Sequence, residues 1–326
     1  MCQVLECIDA GTEYCPCYLA ETGECIMCSQ LQGRTFCDCT NWKGVCIYQE
    51  YVNNRKRIKE QRKSFVSRLI EKQFLSENVM LLKFKTNSTL ARELNQPGAY
   101  VFLRSTEEPA FFDTPMSVMT TDERTGTVTA AVQIRGVKTK ALKKIKEELL
   151  VRGPYWNGLL GLKYIKGLRN SRALLVTRGI GQAPALPVAR KLVAAGNEVE
   201  VVLDKGRGGV NFAEQHFREL GCEVVHRSVL QPGTLDVPEE TLEYIKKKVL
   251  EEGVRLVYTG GSEKLHQGVG RLLASMGAGT FFACSNDARV CCGEGICGSC
   301  HTRLADGSRI KTCKTQLGPV DIYGGR

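Results

Sequence analysis

At 326 residues and 43% hydrophobic content the chain has room for two or three globular cores. No stretch nears the roughly 18 to 20 apolar residues that cross a bilayer. The start, with Glu6, Asp9, Glu13 and early cysteines, lacks a basic-then-apolar export signal, so a cytoplasmic protein is expected. A net charge of +10 suits nucleic acid, an anionic surface or an acidic protein. No winged helix, zinc-finger histidine pair or stacking motif accompanies that charge, which argues against nucleic acid.

Residues 1–50 hold nine of the sixteen cysteines, six more follow residue 283, and Cys222 stands between, where packing accounts for it. A long chain without an export signal uses thiols for metal sooner than for disulfides. The first group reads Cys15-x-Cys17, Cys25-x2-Cys28, Cys37-x-Cys39 and Cys46, with Cys2 and Cys7 ahead. So short a segment buries little core and is expected to fold around metal, with Phe36 and Trp42 packed beside it. Four tetrahedral thiolates suit zinc and an iron-sulfur cluster alike, and the ligand subset stays open.

Residues 51–64 read as a linker or connecting helix, with basic side chains from Arg55 to Lys63 that suit solvent or an acidic partner. From Phe65 short alternating runs, such as 79–84 and 127–132, predict an antiparallel barrel or sandwich. Beyond Arg172 strand and helix alternate: strands at 173–177, 198–203, 223–226 and 255–259, with helices at 185–195, 212–220 and 239–252. That order predicts a parallel sheet covered by helices. The turn Thr177-Arg178-Gly179-Ile180-Gly181 follows a buried strand and opens a helix, as a pyrophosphate-binding turn does and as a tightly packed strand-to-helix turn also does.

Near the end, Cys292, Cys297, Cys300 and Cys313 form C-x4-C-x2-C-x12-C, the plant-type spacing for a 2Fe-2S cluster. Cys291 competes for the first position but gives x5. Cys284 suits a buried apolar site. A cluster of this kind moves one electron at a time, so the chemistry is redox, and the basic runs then suit an acidic carrier such as ferredoxin.

The order of Gln96-Pro97-Gly98, Thr114-Pro115-Met116-Ser117-Val118, Gly136-Val137-Lys138-Thr139, Arg152-Gly153-Pro154-Tyr155, the Gly179 turn, Gly260-Gly261-Ser262 and the C-terminal cysteines resembles the ferredoxin-NADP reductase superfamily. Within it, the iron-sulfur electron-transfer subunits of dihydroorotate dehydrogenase and sulfide dehydrogenase are most similar. The resemblance runs from about 65 to 317 and leaves the N-terminal module out. It implies an α+β multidomain chain: a Cys-rich metal or iron-sulfur module (1–50), a linker (51–64), an FAD-binding antiparallel β-barrel (65–168), a Rossmann-like NAD(P)-binding α/β domain (169–280) and a 2Fe-2S domain (281–326).

By the same resemblance FAD meets Thr114, Pro115, Met116, Ser117, Val118, Gly136, Lys138 and Thr139, with Ser117 beside the reacting ring. NAD(P)H meets Gly179, Ile180, Gly181, Arg207, Gly260 and Gly261, and electrons pass from it through FAD and the cluster to a partner subunit or carrier. Three positions depart from the pattern: Thr114 replaces an arginine, Arg178 a glycine, and Gly260-Gly261-Ser262 a Cys-Gly-Pro. These departures feed an alternative, a non-catalytic relay or assembly subunit with degenerate cofactor sites. Asp204 suits the ribose hydroxyl of NAD, and Lys205 and Arg207 suit the 2'-phosphate of NADP.

Overall fold

The computed structural model describes residues 5–39, 42–277, 279–304 and 306–324. The chain forms two compact units, one of Met1–Lys63 with Ala288–Leu317, the other of Ser64–Asp287 with Gly318–Arg326. The two cysteine-rich ends, read from sequence as separate domains, therefore share one unit.

In the larger unit, strands Ser64–Ser76, Val79–Lys85, Thr127–Gln133, Thr114–Asp122, Tyr100–Ser105 and Glu148–Tyr155, in that spatial order, close a six-stranded antiparallel barrel. Alternation drives it: Met80, Leu82 and Phe84 point inward, as do Val128, Ala130 and Val132 from the strand paired with them. The same unit carries a six-stranded sheet ordered Glu223–His226, Glu198–Asp204, Arg172–Arg178, Val254–Gly260, Phe281–Ser285 and Leu159–Leu160. Five strands are parallel, and Leu159–Leu160 adds an antiparallel edge that the sequence pattern did not announce. The central strand reads Ala-Leu-Leu-Val-Thr and is wholly buried, as a parallel strand covered on both faces must be.

In the smaller unit, Glu6–Cys7 pairs antiparallel with Thr315–Gln316, setting Cys7 opposite Thr315. The helix near the linker spans Ile47–Asn53, started by Cys46, whose Sγ accepts from the Gln49 amide at 3.4 Å. It stops before the basic run because Arg55 and Lys56 both take φ of 57°, which no right-handed helix accommodates. Of that run, Arg62 is not solvated: its guanidinium lies 2.9 Å from Asp9 and 3.8 Å from the centre of the Tyr14 ring. Phe36 and Trp42, expected to pack around the N-terminal cysteines, are each 56% exposed; Ala20, Leu31 and Ile47 form that small core instead.

Candidate functional site

The cysteine loop at 292–300 turns through Gly293, Gly295 and Gly298, all at φ between 70° and 76°. These turns bring the four thiols of the C-x4-C-x2-C-x12-C motif into mutual contact. Cys313 donates to Cys292 and to Cys300, and Cys297 donates to Cys292. The four thiols are therefore linked in one chain, Cys297 to Cys292 to Cys313 to Cys300. The Cys313 thiol, helped by amides of Cys297, Glu294 and Ile296, pulls Cys292 down to about 3. Cys300 falls to about 7, again chiefly through Cys313, whose own thiol is pushed up by donating to both. Cys291 is exposed, whereas Cys300 and Cys313 are buried.

Among the described residues no group of three or more His, Cys, Asp and Glu side chains is arranged to hold a metal ion. A two-iron cluster does not ask for one, since each iron takes two thiolates. Four gathered thiols with amide hydrogens turned toward sulfur are the donor set such a cluster needs, so these residues fit it.

In the N-terminal segment Cys15, Cys17, Cys25 and Cys28 are buried, Cys46 is partly so, and Cys37 and Cys39 are exposed with their sulfurs 3.7 Å apart. Burial pushes Cys15 and Cys25 up to about 11. Between the two cysteine groups lies an ion network that sequence reading missed. Lys314, with no exposed side-chain surface, reaches Glu294 at 2.9 Å and Asp9 at 2.5 Å, and Asp9 also pairs with Arg62. Nothing in the local sequence marks these four charges as buried.

On the barrel, alternation turns the side chains of Met116 and Val118 into the core, leaving Pro115 and Ser117 on the other face. The Thr114 hydroxyl donates to the Phe112 carbonyl at 2.8 Å, so it is engaged within the chain. Cationic groups stand beside it all the same. Arg104 and Arg152 both lie 3.0 Å from Asp113, and the Arg152 guanidinium sits 4.3 Å from the Phe102 ring centre. Gly136 caps the helix Val137–Lys144; the Thr139 hydroxyl accepts from the amides of Arg135 and Gly136, and the Lys138 ammonium reaches the Asp113 carbonyl at 3.3 Å. Arg152 already stood in a sequence motif; its register opposite Phe102, one residue from the Leu103 and Thr114 pair, was not readable there.

At the carboxyl ends of the parallel strands, the Gly179–Gly181 turn lies where the strand order reverses, the usual crevice for a nucleotide. Gly181 serves packing: a Cβ on it would lie 2.2 Å from the Gly260 carbonyl group. Arg178 pairs with Asp204 at 3.3 Å, and Asp204 also accepts from the amides of Gly206 and Val229. Asp204 thus has its carboxylate committed, while Ile180 and Gly261 are partly exposed and Lys205 and Arg207 are exposed. His266, which the sequence reading passed over, is wholly buried between Thr259, 2.7 Å from Nδ1, and Ser285, 3.3 Å from Nε2.

An antiparallel barrel followed in the chain by a parallel nucleotide-type sheet defines the ferredoxin-NADP reductase fold, as the resemblance implies. A solved NADH-dependent reduced ferredoxin-NADP oxidoreductase matches with a TM-score of 0.58 at 22% identity, over 78% of this chain and 86% of that one. A ferredoxin reductase of carbazole 1,9a-dioxygenase matches with 0.53 at 14% identity, over 69% of each. By sequence, the chain's relatives are electron transfer subunits of dihydroorotate dehydrogenase B (NAD(+)). Those of Bacillus cereus (strain Q1) and Bacillus anthracis (strain A0248) are both 32% identical over 136 residues, 41% of this chain and 51% of theirs. The chain thus spans about half the length of the curated relatives it matches. No family model matches it.

Proposed function

We propose that this chain is an electron-transfer oxidoreductase subunit, relaying electrons between NAD(P)H, FAD and a 2Fe-2S cluster, to or from a partner subunit or an acidic carrier such as ferredoxin. The observation that carries the proposal is the gathered, amide-facing set Cys292, Cys297, Cys300 and Cys313, in a chain whose other unit has a flavoprotein reductase fold. When bound, FAD supplies the conversion between two-electron and one-electron transfer.

For FAD, the Val137–Lys144 helix start with Lys138 and the guanidiniums of Arg104 and Arg152 supply positive charge near Thr114. These take the place of the missing arginine. Pro115 and Ser117, on the accessible face, stand nearest the reacting ring. For the nucleotide, Ile180, Gly261 and Arg207 line the crevice, and the committed Asp204 carboxylate leaves Lys205 and Arg207 as its cationic rim, which favours the 2'-phosphate of NADP. No helix among the described residues is long and apolar enough to cross a membrane, and a cytoplasmic location goes with the proposal.

The engaged Thr114 hydroxyl and the Arg178–Asp204 pair favour a second reading, an iron-sulfur relay or assembly subunit that has given up its cofactor sites. Anaerobic purification followed by flavin extraction and an absorption spectrum separates the two. Bound flavin that is bleached by NADH or NADPH supports the enzyme, with Arg152→Ala lowering flavin retention about tenfold. Iron without flavin leaves the relay.

A further inference from the structure

The eight N-terminal cysteines from Cys7 to Cys46 differ in burial and surroundings. Cys37 and Cys39 stand at the surface with Cys46 partly so, while Cys28 is buried next to Cys25 yet does not line the cavity on which Cys25 opens. Cys7, Cys15, Cys17 and Cys25 instead line one apolar cavity of about 10 Å³, with Leu19 and Met27 among its walls. Each of these four sulfurs has a backbone amide turned to it: Asp9 to Cys7, Gly11 to Cys15, Leu19 to Cys17, and both Met27 and Cys28 to Cys25. A neutral buried thiol has little use for such donors; a metal-bound thiolate does.

The spacing of the sulfurs selects among metals. No two of the four are in hydrogen-bonding contact among the described residues, whereas Cys37 and Cys39 touch at 3.7 Å. Zinc holds its thiolates at about 2.3 Å and so draws them into contact with one another. A space wide enough for a water-sized body keeps its lining sulfurs farther than that from its centre. A two-iron cluster takes two thiolates on each iron and so brings them into contact, as the C-terminal cysteines are. A cubane places one thiolate on each of four irons, with the sulfurs apart.

We propose that Cys7, Cys15, Cys17 and Cys25, the four that line the cavity, hold a 4Fe-4S cluster inside the smaller unit, distinct from the outer cysteines Cys37, Cys39 and Cys46. This rests on the reading of the N-terminal segment as metal-bearing and adds to it a ligand set and a cluster type. Cys7 is the informative member, since it lies outside the C-x-C and C-x2-C spacings and joins the site only through the pairing of Glu6–Cys7 with Thr315–Gln316.

The site also adjoins the C-terminal cysteines. The Ile8 amide donates to the Lys314 carbonyl at 2.9 Å, so that one hydrogen bond separates the residue after Cys7 from the residue after Cys313. Lys314 is close enough to Cys17 for its charge to favour the thiolate.

Iron and acid-labile sulfide are counted in the full chain after anaerobic reconstitution with iron and sulfide, alongside low-temperature electron paramagnetic resonance of the reduced protein. The proposal expects about six of each per chain and two distinct signals. Cys7→Ser and Cys17→Ser should each remove about four irons and the faster-relaxing signal, and Cys37→Ser should remove neither. Loss of those four irons in Cys37→Ser but not in Cys7→Ser overturns the ligand set while the N-terminal segment remains metal-bearing. Zinc without the extra sulfide overturns the cluster. About two irons per chain and no zinc sinks this inference and the metal-bearing reading together. The wild-type count keeps the test valid if a serine variant does not fold.

Discussion

His266 shows how a single side chain can set the pH range of the larger unit. Burial alone pushes it down to about 3, so folded protein carries it neutral across the whole working range. The unfolded chain, with an ordinary histidine near 6.5, takes up a proton that the fold refuses. The stabilising contribution is therefore complete above pH 6.5 and is lost as pH falls toward 3, at about 1.4 kcal/mol per unit. Asp287, raised to about 6 by burial and bound by the Tyr323 hydroxyl that neighbours His266, works in the opposite sense below pH 6. Comparison with His266→Gln isolates the histidine: the stability advantage of wild type over the variant should shrink by about 2 kcal/mol between pH 7.5 and pH 5 in urea titrations. An advantage that does not change with pH would mean His266 takes up its proton in the fold as readily as in the unfolded chain.

Among the elements, the barrel and the α/β sheet were legible because their patterns are local. Alternation at 79–84 and 127–132 became the strands Val79–Lys85 and Thr127–Gln133, and the run at 223–226 became the strand Glu223–His226. Illegible were features decided by a distant partner. Gly181 reads as a phosphate-approach glycine, yet it is demanded by Gly260, which a sequence window never sees beside it. Gly181→Ala tests this: with the three nearest facing atoms all backbone, the turn must move off the Gly260 end of its neighbouring strand, and we expect a loss of about 1 to 3 kcal/mol in thermal or urea unfolding whether or not nucleotide is present. A variant as stable as wild type but with weakened nucleotide binding would return the glycine to the phosphate.

For the whole molecule, the charged quartet of Asp9, Arg62, Glu294 and Lys314 ties together segments that lie 305 positions apart at their extremes. The spacing of the C-terminal cysteines was readable in sequence, but the burial of a lysine next to Cys313 was not, because its partners belong to the opposite end of the chain. Lys314→Met removes one cation and leaves two buried carboxylates facing Arg62 alone, at a cost of about 3 to 5 kcal/mol. Chemical unfolding should therefore show the smaller unit's transition moving to lower urea while the larger unit's stays in place. A shift under 1 kcal/mol would mean the pocket admits water.

The pairing of Glu6–Cys7 with Thr315–Gln316 also imposes a schedule. A ribosome adding about 5 to 20 residues per second needs roughly 15 to 60 s after making the first of these strands before the second emerges. Through that interval the early cysteines have neither their partner strand nor Lys314, so the proposed cluster would be inserted only after release of the finished chain, or the bare thiols would need shielding until then.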